Sequence, residues 1–169
     1  MNSQFVLTIM GEDRPGLTSA LSAAVFRSGG NWLEGHLSRL GGLFTGAVLI
    51  ELPADRLPDL KAALAAPDLA ALKVDITPAG DQGQPGERLR LSLTSADRPG
   101  IVNELSLILA RLGVNIVELE TSAAEGAWQG SPIFRASLQL ALPAGLSHAT
   151  LQEALEQLSG DLMVEVEPA

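Results

Sequence analysis

Hydrophobic and polar residues alternate along residues 4–10, with Phe5, Leu7 and Ile9 on one face, and predict a β-strand. The period then changes. Leu17, Leu21, Ala24 and Val25 recur at helical spacing, and Gly29-Gly30 closes the helix. Pro15 is expected at the first helical position, where its missing N–H is not needed. Residues 31–40 predict a second strand, Gly41-Gly42 a tight hairpin turn, and residues 43–52 a third strand stopped by Pro53. Leu57, Leu60 and Leu64 line a second helix broken by Pro67, and residues 72–77 predict a fourth strand.

The same order returns in the second half. Leu89, Leu91 and Leu93 form a strand, and Ile101, Leu105, Ile108, Leu109 and Leu112 line a helix. Residues 114–122 and 132–142 predict a hairpin; Leu151, Ala154, Leu155 and Leu158 line a helix, and Met163, Val164 and Val166 a last strand. Asp13-Arg14-Pro15-Gly16 recurs as Asp97-Arg98-Pro99-Gly100, an offset of 84 residues that also relates Gly29 to Gly113, Asn31 to Asn115 and Glu34 to Glu118. One such tetrapeptide marks a turn; two, each between a strand and a helix, mean an internal duplication. After the hairpin the offset is 90 (Phe44 to Phe134, Pro53 to Pro143), so the second hairpin loop is six residues longer and contains Trp128. That residue reads equally as a partner contact or as one tucked on its own domain.

A β-α-β-β-α-β unit implies an α+β, ferredoxin-like fold: an antiparallel sheet with both helices on one face. Two are expected, at residues 1–78 and 89–169, joined by a linker at 79–88 rich in Gly, Pro and polar residues. Their open sheet faces differ. In the second repeat the outward positions are Arg90, Ser92, Thr94, Arg135, Ser137 and Gln139, which suit water. In the first they are Val6, Thr8, Met10, Ala47 and Leu49, with Trp32 on the neighbouring strand, a face too apolar to stay wet. Val6, Met10, Trp32 and Leu49 are therefore expected at an interface, covered by another subunit or the linker, and a homo-oligomer is expected.

Composition narrows the chemistry. The 169 residues carry a net charge of −9 and only two lysines, Lys61 and Lys73, with the arginines scattered. Direct nucleic-acid binding, which needs clustered cations, is not expected. Zero cysteines exclude disulfides and thiolate chemistry, and there is no apolar run of membrane-spanning length. Residues 1–5 lack a basic region and an apolar stretch, so a cytoplasmic location is the expectation. His36 and His148, the two histidines, stand without the three or four converging ligands of a metal site, and neither metal nor cofactor is expected. Glu118 and Glu120 share a strand face, a pattern usual for solvated sheets. No nucleophile elbow, Walker loop or dinucleotide fingerprint is present, and no enzymatic activity is expected.

The candidate chemistry lies at the repeated loop. Arg14 precedes a proline and so stays out of helical geometry. The first N–H groups of the following helix lack internal partners and favour a carboxylate. Gly16 removes bulk there, Asp13 is an acceptor for a ligand ammonium, and Asn31 offers an amide at what is expected to be the same end of the sheet. Asp97, Gly100 and Asn115 repeat the set. These residues equally serve turns, with the glycines permitting tight helix–strand packing, and both readings are open on the residues alone.

The strand, the D-R-P-G turn, the helix and the G-x-N strand start (Gly29 and Asn31; Gly113 and Asn115) resemble the ACT domain, twice over nearly the whole chain. That resemblance implies a regulatory module that binds amino acids through the first loop and the following helix start: Asp13, Arg14, Gly16, Leu17 and Asn31, then Asp97, Arg98, Gly100, Ile101 and Asn115. A chain made of two such domains resembles the glycine cleavage system transcriptional repressor family. The resemblance implies glycine as the favoured ligand and a DNA-binding transcription factor as the protein partner. The alternative it leaves is a regulatory subunit of an amino-acid biosynthetic enzyme.

Overall fold

Alternating strands and one helical stripe per helix leave each half a single way to bury its apolar residues, one sheet face against two helices. The computed structural model describes residues 1–80, 86–125, 132–156 and 163–168, so Trp128 lies outside the described residues. The chain divides into two units, Met1–Gln82 and Gly83–Ala169. The first runs β1 (Asn2–Glu12), α1 (Leu17–Arg27), β2 (Asn31–Leu40), β3 (Leu43–Pro53), α2 (Leu57–Leu64) and β4 (Leu72–Pro78). The second runs β5 (Glu87–Ala96), α3 (Ile101–Arg111), β6 (Asn115–Glu125), β7 (Pro132–Leu142), α4 (His148–Glu156) and β8 (Met163–Pro168). Strand orders are β2-β3-β1-β4 and β6-β7-β5-β8, with antiparallel pairing throughout. Each unit is thus a ferredoxin-like βαββαβ sandwich.

Two boundaries differ from expectation. Glu87 and Arg88, expected in the linker, are already strand. Pro15 is not the first helical residue: it lies in a turn with Gly16, and α1 starts at Leu17. The reversal from strand to helix needs a left-handed residue at Gly16, which keeps the proline outside the helix.

The cores follow the alternation. Phe5, Leu7 and Ile9 of β1 and Val48, Ile50 and Leu52 of β3 pack against Leu17, Leu21, Ala24 and Val25 of α1 and Leu60 and Leu64 of α2. Leu89, Leu91, Leu93, Leu138 and Leu140 do the same against Leu105, Leu109, Leu151 and Leu155. Burying each such side chain is worth about 1.5–3 kcal/mol before conformational entropy is charged against it.

The placement of Trp32 is a correction. Trp32 pairs with Ile50 and Glu34 with Leu49, so Leu33 is an extra residue on β2 and forms a bulge. The bulge moves Trp32 to the helix side, where it packs against the core; a Cβ on Gly35 would lie 2.9 Å from its ring. Val6, Met10 and Leu49 keep their places on the open face, in rows that read Glu34, Leu49, Val6, Thr77, then His36, Ala47, Thr8, Asp75, then Ser38, Thr45, Met10, Lys73. The corresponding face of the second unit is polar, with Glu118, Gln139, Arg90 and Glu167 forming one row.

Gly46 sits mid-sheet between Ile9 and Leu37 with φ +148, and a Cβ there would collide with the His36 carbonyl. Its counterpart in the second repeat is Ala136, so the demand is local to the first sheet. Gly46→Ala is expected to cost about 1–3 kcal/mol. By circular dichroism the first unit should melt at least about 4 °C lower; an unchanged melting curve would refute this tight crossing.

Candidate functional site

Strand β1 ends at Glu12 and α1 begins at Leu17, so four residues must reverse the chain. Gly16 makes the reversal with φ +90 as the helix N-cap, and Gly100 does so with φ +98. Residues with a Cβ rarely adopt that conformation. A Cβ at Gly16 would meet nothing within 4 Å. The glycine therefore answers a dihedral demand, and tight helix–strand packing is not its reason.

Neither helix has a side-chain cap, so the N–H groups of both first turns are available to an anion. Leu17 and Ile101 drop into the two cores and pin the helix starts, leaving only their backbones to face a ligand. Asp13 is tied by an ion pair to Arg39, with Nε 3.3 Å from Oδ2. Arg14 and Gly16 line a cleft of about 560 Å³ between α1 and the 3₁₀ turn Pro67–Leu69. Small residues of α1, namely Ser19, Ala20 and Ala23, line it too, with Arg27 and Asp68 adding charge of both signs.

The second loop is held differently. The Asp97 N–H donates to the Pro132 carbonyl at 2.9 Å. Arg98 donates to both carboxylate oxygens of Glu104, at 2.8 and 2.5 Å. Those hydrogen bonds hold the Glu104 carboxyl below its ordinary range and raise Arg98, with partial desolvation opposing both.

The asparagines are not at these loops. Asn31 shares a row with Glu51 and Gln4, at the start of β1, whereas Asp13 follows its end. From Gln4 to Asp13 is nine residues, and at roughly 3.3 Å per residue that separation is about 30 Å. Asn115 likewise lines up with Ala141 and Arg88, the opposite end of β5 from Asp97. A helix running back between two parallel-running strands returns the chain to the starting edge, so a strand start and the loop before the helix lie at opposite ends. Within each unit the candidate site is the loop and helix start without the asparagine.

Sequence reasoning missed Arg39, Glu104 and the pair Arg27 and Asp68. The first two were findable. The Gly41-Gly42 hairpin sets Arg39 opposite Phe44, which pairs with Gly11, two residues before Asp13. The 84-residue offset sets Glu104 against Ala20. Asp68 gave no signal, because only the tertiary packing of its turn on α1 brings it to the cleft.

His36 is held by Glu34 at 2.9 Å on the open face, and His148 opens α4 beside Ser147, whose Oγ accepts the Thr150 N–H. Among the described residues no group of three or more His, Cys, Asp or Glu could hold a metal ion, and no helix is long and apolar enough to cross a membrane.

Residues 3–76 match the ACT domain family. The first unit thus has the ACT fold. The second repeats its strand order and its loop, so the chain is a tandem of ACT folds. The chain is similar to the crystal structure of an unknown protein from Galdieria sulphuraria, with 26% identity, a TM-score of 0.86 and coverage of 100% of this chain and 99% of that one. It is also similar to a structure described as "putative glycine cleavage system transcriptional repressor", with 19% identity, a TM-score of 0.70 and coverage of 99% and 97%. At that identity the likeness is one of fold. None of the curated proteins matches this sequence.

The Arg98–Glu104 clamp has a pH signature. The folded-state pKa of Glu104 is lowered, so the stability it contributes is complete above the unfolded carboxyl value. That contribution disappears as pH falls through the lower, folded value. The melting temperature of Glu104→Gln should differ from wild type at neutral pH, and the gap should close in acid. A carboxyl ¹³C titration should place the Glu104 midpoint below that of free glutamate; a midpoint at or above it would rule the clamp out.

Proposed function

We propose that this chain is a non-catalytic, amino-acid-responsive regulator, with glycine the favoured ligand. It acts in the cytoplasm through a protein partner, a DNA-binding transcription factor, in the manner of a glycine cleavage system transcriptional repressor. The observation that carries this reading is the D-R-P-G turn of the first ACT domain. It sets uncapped helix N–H groups and Arg14 beside a cleft floored by small residues. Guanidinium and backbone N–H suit a carboxylate, Asp68 suits an ammonium, and a small-residue floor suits a ligand with little side chain. A ligand regulates only if it binds one form of the chain better than another, so partner affinity must differ between the bound and free forms.

The open face of the first sheet gives the oligomer its place in this reading. Its centre is Val6, Ala47 and Leu49, with Met10 51% exposed. One edge carries the Glu34–His36 pair and the other the Lys73–Asp75 pair. A second copy turned about a twofold parallel to the strands sets β2 over β4, so that His36 meets the row of Asp75 and Ser38 the row of Lys73. The face is then self-complementary, as a twofold interface requires.

Two measurements test the two parts. Thermal denaturation against the twenty amino acids should show selective stabilisation by glycine, about 2.7 kcal/mol at a hundred times the dissociation constant, lost in Arg14→Ala. Stabilisation by none of the twenty would refute the sensor. Light scattering should show a dimer that Val6→Glu with Leu49→Glu dissociates; a monomeric wild type, or a double variant of unchanged mass, would remove the face from the assembly.

A further inference from the structure

The two loops share a motif but not the residue that meets its arginine. Glu104 stands one turn into α3 and takes Arg98 in a two-pronged grip. Its counterpart at the 84-residue offset is Ala20, which lines the cleft beside Arg14. The neighbours change in the same sense: Ser19 and Ala23 on α1 correspond to Asn103 and Leu107 on α3. Beside its loop the helix of the first unit carries small side chains and that of the second carries larger ones. Arg14 has no ion pair or side-chain hydrogen bond among the described residues.

A guanidinium fork is matched in shape by one carboxylate and satisfied by it. The sister repeat thus displays, inside one chain, what this loop arginine does when a carboxylate is in reach. We propose that Glu104 is a built-in carboxylate that closes the loop site of the second unit, leaving the first unit as the one site per chain for a free carboxylate ligand, held by Arg14. The inference rests on the amino-acid-sensing reading above and adds which repeat senses. A tethered carboxylate competes at an effective concentration on the order of millimolar, so a free ligand with weaker affinity than that does not displace it. The second unit is then a structural copy whose loop conformation stays constant while that of the first responds.

The test is amide NMR of the full chain, titrated with glycine and separately with sodium acetate as a bare carboxylate probe. In wild type the Gly16 amide should shift and saturate at one ligand per chain while Gly100 stays in place. Glu104→Ala should make Gly100 respond as well and raise the count to two. Ala20→Glu should silence Gly16, and so should Arg14→Ala at an exposed loop position, which guards against misfolding of the first variant. A Gly100 response in wild type, or none after Glu104→Ala, would overturn the inference and leave the sensor reading intact. A Gly16 response to acetate but to no amino acid would keep the one-site asymmetry and remove the amino-acid reading. Silence at both amides with every probe would remove both.

Discussion

Each unit depends on burying one face of a four-stranded sheet under two helices. Leu7, Val48, Ile50 and Leu52 on the sheet and Leu21 and Leu60 on the helices are fully enclosed. Because Leu17 and Ile101 belong to those cores, the first turn of α1 and of α3 cannot move without opening the interior. The loop that precedes each helix is exposed, yet its far end is anchored. A site there combines access for a ligand with a rigid frame, which lets a small ligand alter a loop without unfolding a domain.

Duplication kept what the backbone demands and released what the surface allows. Both copies retain the left-handed glycine before the first helix and the bulge in the second strand. The open faces have gone separate ways, Val6 and Leu49 in one against Arg90 and Gln139 in the other. Either face packs equally well on its helices, since the side chains concerned never enter the core. An apolar open face in one repeat and a polar one in the other are therefore equally compatible with the fold. Ala20 and Glu104 differ as well, the one packed against the edge of its core and the other gripping the arginine of its loop.

Most of this architecture was legible in the sequence because period and punctuation agree. Alternation gave Phe5, Leu7 and Ile9, helical spacing gave Leu17, Leu21, Ala24 and Val25, and the offset repeated both. The misreadings share one cause, which is that a pattern along the chain carries no direction in space. Counting by twos put Trp32 with Glu34 and His36, and a single extra residue at Leu33 reversed its side. Nearness in sequence to the helix put Asn31 beside Asp13, although the helix carries the chain to the other end of the sheet. The tie between Asp13 and Arg39 follows from the Gly41-Gly42 hairpin once β3 is also set in register with β1.

The electrostatics of the site separate small anions from large ones. The chain as a whole carries −9, yet the first loop presents Arg14 and the N-terminus of α1, while Arg39 there is tied to Asp13. At physiological ionic strength exposed charges are screened beyond about 8 Å. A free carboxylate entering the cleft therefore responds to the local cations and little to the distant acids. A nucleic acid is too long for that protection, since its phosphates would run over many screening lengths of acidic surface. The net charge of −9 therefore opposes a long polyanion more than it opposes a small carboxylate at the first loop.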